Sequence, residues 1–251
     1  MSGHSKWSQI KHKKARMDAQ KGRLFTKLIR EIMVAAREGG GNPDANPRLR
    51  NAIQQAKDAN MPSENIEKAI KKGTGELPGT HYEEALFEGY GPGGVAVMVR
   101  VLTDNKNRTS PEIRHIFSRY GGHLGSSGCV SWQFHPRGII QVEKSRVDEE
   151  VLLELVLELG AEDMKEEGDM YTIITSPEDF VRIKESLAEK GVPISYSELT
   201  MLPDTFVKVE GKQAEQVLNL INALDEHPDV QNVYANFDIP EEILAQSTQL
   251  G

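Results

Sequence analysis

The chain has 251 residues, 38% hydrophobic and 27% charged, with a formal net charge of −8. That balance suits adequate cores in one large or two to three small soluble domains. A single cysteine, Cys129, excludes an intramolecular disulfide framework, and no apolar run or secretory or myristoylation pattern points to a membrane partner, so a cytoplasmic protein is expected.

The positive charge is gathered at one end. Residues 1–30 carry Lys6, Lys11, Lys13, Lys14, Arg16, Lys21, Arg23, Lys27 and Arg30, opposed only by Asp18. Such a cluster reads as a contact for a polyanion, and nucleic acid is the expected partner. His12 lies within the run. Trp7 stands among the lysines, where an indole suits stacking on a base beside phosphate contacts. The alternative reading of these charges is a solvated basic tail.

From Gly22 the pattern is helical. Leu24, Leu28, Ile32 and Ala35 recur at helical spacing, widened by Phe25, Ile29 and Ala36, and Gly39-Gly40-Gly41 ends the run. Asn46-Pro47 predicts a capped second helix with Leu49, Ile53 and Ala56 on one face, ending near Asn60. Pro62 opens a third, with Ile66 and Ile70, that Gly73 is expected to close. A three-helix domain over residues 1–74 follows, with a weak suggestion of a helix-turn-helix. Residues 1–73 hold 16 basic and 7 acidic side chains, whereas the remaining 178 hold 14 and 31.

After a linker over 74–81, YEEALFEGY and Val95–Leu102 predict a hairpin across the turn at 91–94. The literal G-x-G-x-x-G at Gly89, Gly91 and Gly94 is no dinucleotide fingerprint, because a strand follows it where a helix is needed. TDNKNRTS reads as a loop holding Lys106 and Arg108. Ser110-Pro111-Glu112 reads as the start of a helix that buries Ile113, Ile116, Phe117 and Tyr120. CVSWQFH is a further strand candidate.

Residues 138–202 run as strand, helix, two strands around Gly168-Asp169, helix and strand, which is the ferredoxin-like βαββαβ order. TFVKVEG, KQAEQVLNLINALDE and VQNVYANFD add strand, helix and strand. Joined to residues 94–135 they would complete a second βαββαβ. The fold class is therefore α+β and multidomain: a three-helix domain, then two ferredoxin-like α/β domains, the third inserted in the second. The expected boundaries are 1–74, 82–136 with 203–239, and 137–202; a short helix is expected after Pro240. Residues 138–202 hold 6 basic and 16 acidic side chains. Residues 100–137 hold Arg100, Lys106, Arg108, Arg114, Arg119 and Arg137 against two acids, a possible second basic region for the same partner.

Cys129, Ser126, Ser127, His123 and His135 crowd one loop and its neighbouring strand. No nucleophile elbow or oxyanion motif accompanies them, no metal-ligand spacing appears, and no glycine-rich loop carries a phosphate-binding lysine. No catalytic residue, metal or cofactor is expected.

GHSKW at 3–7, IKHKKA after it, FTKLIREI at 25–32, NPRLR at 46–50 and NMPSENIEKAIKKG at 60–73 carry a specific resemblance. With EGYGPGG at 88–94 and LTDNKNRT at 102–109, they make the chain similar to the YebC/PmpR family over nearly its whole length. The resemblance implies three domains, one helical and two α/β. Members are usually labelled probable transcriptional regulators that bind DNA. A mitochondrial relative is a translational activator for a cytochrome oxidase subunit, and bacterial members are tied to ribosomes stalled on proline-rich stretches. The resemblance thus implies a DNA partner or, in the alternative, ribosomal RNA and ribosomal proteins.

Overall fold

A computed structural model describes residues 18–240, with side chains from Lys21 onward. Three helices open it: α1 (Asp18–Gly39), α2 (Pro47–Asp58) and α3 (Ser63–Thr74). Leu28, Ile32 and Ala35 of α1 meet Leu49, Ala52 and Ala56 of α2 and Ile66 and Ala69 of α3 in one core. Asn46 joins two helix ends. Its side-chain oxygen accepts from Leu49 N at 3.0 Å, and its Nδ2 donates to the carbonyls of Ala35 and Gly40 at 2.8 and 2.9 Å. Gly73 does not end α3 as expected. It lies within the helix, where a Cβ would come 2.4 Å from the Met33 carbonyl, so its role is close packing against α1. The left-handed residue that follows the helix is Gly75, with φ +85°.

The hairpin forms as read. Strand β1 (Glu83–Tyr90) pairs antiparallel with β2 (Ala96–Thr103), from Glu83↔Thr103 to Tyr90↔Ala96. Helix α4 (Lys106–Arg119) begins four residues before Ser110, because Asn105 caps it by accepting from Arg108 N at 3.1 Å. Pro111 therefore lies inside the helix. A two-residue strand, β3 (His123–Leu124), follows.

The chain then builds β4 (Phe134–Glu143), α5 (Glu149–Glu158), β5 (Asp163–Glu167), β6 (Met170–Thr175), α6 (Phe180–Glu189) and β7 (Ile194–Pro203). Their antiparallel sheet has the order β5-β6-β4-β7, the ferredoxin-like layout, with Leu152, Val156, Ile183 and Leu187 of the helices against Ile140, Val142 and Ile173. The chain returns through β8 (Val207–Lys208), α7 (Gly211–Glu226), β9 (Val230–Ala235) and β10 (Phe237–Asp238).

The second sheet has the order β3-β1-β2-β9, antiparallel throughout, with α4 and α7 packed on one face. The third domain thus interrupts the second, as expected, but the second is completed differently. CVSWQFH is not a strand: Ser131–Gln133 is a 3-10 turn, and Phe134 already begins β4. TFVKVEG contributes only β8, which pairs in parallel with β10 outside the main sheet. The place between β2 and β3 is filled by β1. A tight turn makes β1 the nearest partner of β2, so local pairing outcompetes a strand returning after a whole inserted domain.

One face of this second sheet carries Ala85, Phe87, Val97, Val99, Val101, Val233 and Ala235 to the helices. The other face meets both neighbours. Ala96 and Met98 pack with Val130 and Phe134, while Tyr90, Tyr234 and Met201 of β7 close the cluster. Further along, Glu84, Arg100 and Asn232 face the helical domain.

Candidate nucleic-acid interface

The basic residues fall into two groups. In the first, cations of α1 close a seam against the second domain. Lys27 Nζ lies 3.0 Å from Asp225 Oδ1 and donates to the Asp225 carbonyl at 2.9 Å. Arg30 donates to Asp229 Oδ1 at 2.9 Å and to the carbonyls of Pro228 and Leu102, and its guanidinium lies 4.9 Å from the Tyr82 ring centre. Asp229 is 2% exposed and also accepts from Arg108 at 2.5 Å and from Thr109 at 2.7 Å. Burial would raise its pKa, but the bonds from Thr109, Arg108 and Arg30 outweigh burial and hold it below the usual range. Much of the LTDNKNRT stretch therefore serves the internal structure of the second domain. Asn105 caps α4, while Arg108 and Thr109 grip Asp229.

A second knot extends the seam. Arg48 reaches Glu31 at 2.8 Å, Glu38 at 2.6 Å and Glu84 at 2.8 Å, and Arg100 reaches Glu31 at 2.8 Å and Glu84 at 2.9 Å. Burial disfavours the Arg100 charge, yet the bonds and charges of Glu84 and Glu31 more than offset this and raise its pKa.

The other group faces outward. Lys21 and Arg23 are exposed on α1, with Arg23 only loosely paired to Glu226 at 3.6 Å. On α4, Lys106, Arg114 and Arg119 are exposed and make no ion pair among the described residues. Arg137 pairs with Glu162 at 2.7 Å. The basic region at 100–137 is thus divided: Arg100, Arg108 and Arg137 are engaged internally, and Lys106, Arg114 and Arg119 face water. Lys6, Trp7, Lys11, His12, Lys13, Lys14 and Arg16 lie outside the described residues. Among described residues, no helix is long and apolar enough to cross a membrane.

Glu88 was missed by sequence reasoning. It is 4% exposed, and its two carboxylate oxygens accept from the backbone N–H groups of Gly128, Val130 and Ser131 at 2.7, 2.9 and 2.7 Å. Burial raises its pKa and these three bonds lower it further than burial raises it, leaving it below the usual range. The glycine-rich loop is therefore pinned to β1. Its Cys129 thiol is pushed up by burial and by the Glu88 charge, the opposite of an activated nucleophile. His123 stacks on Tyr90 at 5.5 Å, and His135 Nε2 lies 2.9 Å from Asp204. Glu112, His227 and Asp229 also cluster. Asp229 is already bound by two arginines, and His227 Nδ1 accepts from Asp229 N at 3.2 Å.

Against known proteins, residues 5–76 match the model described as the TACO1/YebC protein N-terminal domain, and residues 82–237 match the TACO1/YebC second and third domain. The chain belongs to the TACO1/YebC family. Proteins from Dictyoglomus turgidum and Aquifex aeolicus, each named "probable transcriptional regulatory protein", are 58% and 57% identical over 97% of this chain and 98% of their own. A crystal structure of a conserved hypothetical protein from Aquifex aeolicus has a TM-score of 0.79 at 55% identity, covering 92% of this chain and 95% of that one. The helical domain followed by sheet domains is thus shared with a solved structure. In this TACO1/YebC chain the outward cations are suited to a polyanion, and the inward ones to holding the first two domains together.

Proposed function

We propose that this TACO1/YebC protein is a nucleic-acid-binding regulator of gene expression, gripping phosphates through its N-terminal basic segment and the exposed cations of α1 and α4. The carrying observation is how cations are allocated. Lys27 and Arg30 are taken up by Asp225 and Asp229, whereas Lys21, Arg23, Lys106, Arg114 and Arg119 are exposed, and the sequence from Lys6 to Arg23 holds a single acid, Asp18. The name shared by close relatives supports a role in transcription; on this reading the partner is DNA.

A second reading, an RNA-binding factor associated with the ribosome, is favoured by one feature of α2. Its first turn should offer free base-reading side chains if the helix entered a major groove. Arg48 is bound to three glutamates and Arg50 to the carbonyls of Pro43 and Asp44. Co-sedimentation with ribosomes that ribonuclease abolishes would select this reading over DNA.

The shared core of both readings is tested by changing Lys11, Lys13 and Lys14 together to Glu. Each phosphate contact contributes roughly 0.7–0.9 to the slope of log affinity against log salt, so the slope should flatten by about 2–3. Affinity should fall strongly for every nucleic acid while the melting temperature stays unchanged. Unaltered affinity for RNA and duplex DNA would refute the proposal.

A further inference from the structure

We propose that Trp132 is a stacking platform for an unpaired nucleobase, making a single-stranded or looped segment part of the target. The inference rests on the nucleic-acid reading above and specifies its substrate.

Trp132 is 69% exposed, a position that forgoes the gain from burying a large aromatic ring. Yet its surroundings are held firmly. Ser131 N donates to the buried Glu88 carboxylate at 2.7 Å, and Gln133, on the other side, is buried. The Gln133 side chain accepts from Asn236 at 3.1 Å, and its carbonyl accepts from Asp204 N at 2.9 Å. The ring itself is fixed by its Nε1, which donates to the Cys129 carbonyl at 3.2 Å. The Tyr90 hydroxyl donates to the same carbonyl at 3.1 Å. With Nε1 occupied, what the indole still offers is its π surface.

Burying a carboxylate is costly unless its bonds are satisfied. Here a buried carboxylate, two side-chain donors and a buried glutamine order a segment whose largest side chain remains in water. Folding gains little from ordering that ring, so the fixed orientation serves a ligand that meets its face.

The chemistry of the surroundings selects the ligand. The other exposed residues of the loop are Gly125, Ser126, Ser127 and Gly128. A protein-docking hot spot is set in an apolar patch, whereas one flat ring among glycines and hydroxyls suits a base with its sugar and phosphate. Bases inside a duplex are stacked on one another and do not present a face. Single strands and loops do, and aromatic platforms bind them with little sequence preference.

The sequence contains two tryptophans, so Trp7→Phe leaves Trp132 as the sole indole reporter. All measurements share that background, so any effect of the Phe substitution is common to them. The probes are an oligoadenylate of about ten nucleotides, within the range of single-strand sites, and a fully paired duplex, with binding followed independently by anisotropy. Trp132 emission should be quenched in step with oligoadenylate binding, while the duplex binds through its phosphates without quenching. Trp132→Ala should weaken oligoadenylate binding about 5- to 100-fold with the salt slope unchanged, and Trp132→Phe should retain most of the affinity. If Trp132→Ala does not fold, quenching and the Phe variant decide. Binding with an unquenched ring would overturn the stacking inference alone. No binding of either probe by anisotropy would overturn the nucleic-acid reading beneath it.

Discussion

The second domain holds its two neighbours by different chemistry. Toward the helical domain the contact is ionic: Arg30 on Asp229, Lys27 on Asp225, and the knot of Glu31, Arg48, Glu84 and Arg100. Toward the third domain it is apolar, with Ala96 and Met98 against Val130 and Phe134. An apolar contact forms wherever shapes match, but an ionic seam forms only when every charge finds its partner. The helical domain is also the most basic part of the chain. Its inward cations each find carboxylates, so positive charge in the sequence overstates what a ligand can reach.

The largest effect should come from the seam's most buried carboxylate. Asp229→Ala removes the carboxylate that holds the mostly buried Arg30 guanidinium, while the exposed Arg108 keeps Asp104 and Glu112, so a loss of about 3–5 kcal/mol, set by Arg30, is expected on denaturant unfolding. The loss should appear at the joint of α1 with the second domain and at the first turns of α4, which Arg108 and Thr109 tie to Asp229, visible as faster hydrogen exchange at both. A variant as stable as the parent would show that the ionic seam holds nothing.

Phe134→Ala tests the other side. Phe134 is 3% exposed, and its truncation should cost about 3 kcal/mol. The two substitutions separate by pH. The pKa values of Asp229 and Glu84 are depressed in the folded state, because hydrogen bonds outweigh burial, from Thr109, Arg108 and Arg30 at Asp229 and from Arg100 and Arg48 at Glu84. Their contribution is therefore complete above the unfolded carboxylate range and is lost as pH falls through the folded values. Acid should erase the difference between Asp229→Ala and the parent, and leave that between Phe134→Ala and the parent intact. Equal acid sensitivity of both differences would break the comparison.

Much of this architecture was legible. The helical periods of α1 to α3, the hairpin and the βαββαβ run of the third domain are local patterns, and local patterns survive folding. What was not legible depends on distant partners. CVSWQFH alternates like a strand, but Glu88, some forty residues earlier in the chain, draws three of the amides at 128–131 into a turn. Ser110-Pro111-Glu112 mimics a helix start, and Asn105 caps the helix earlier. The basic cluster was readable as charge, yet Asp225 and Asp229, which engage Lys27 and Arg30, lie nearly 200 residues away in the chain. Trp132 could have been flagged as a tryptophan beside a glycine-rich stretch, although only the structure shows its ring in water.

The smallest effect is expected at Glu88, which carries no interdomain ion pair and pins a loop chiefly through backbone amides. Its Oε1 accepts from Gly128 N, and its Oε2 from Val130 N and Ser131 N. Glu88→Gln keeps the shape but turns one oxygen into an NH2 group, which opposes one set of donors. A loss of about 1–3 kcal/mol is expected, the cost of leaving buried donors unmade. The amides of Gly128, Val130 and Ser131 should then exchange faster at neutral pH, while those of β2 do not. In the parent the folded Glu88 pKa is depressed, so the pin is fully present above the usual carboxylate value, about 4.3, and is released as pH falls through the folded value. Trp132 emission, read with Trp7 replaced by Phe, should report that release with a midpoint below the usual value, and the Gln variant should lack the transition. An unchanged exchange pattern in Glu88→Gln would mean that the loop is ordered by something other than this carboxylate, and Trp132 would lose its fixed support.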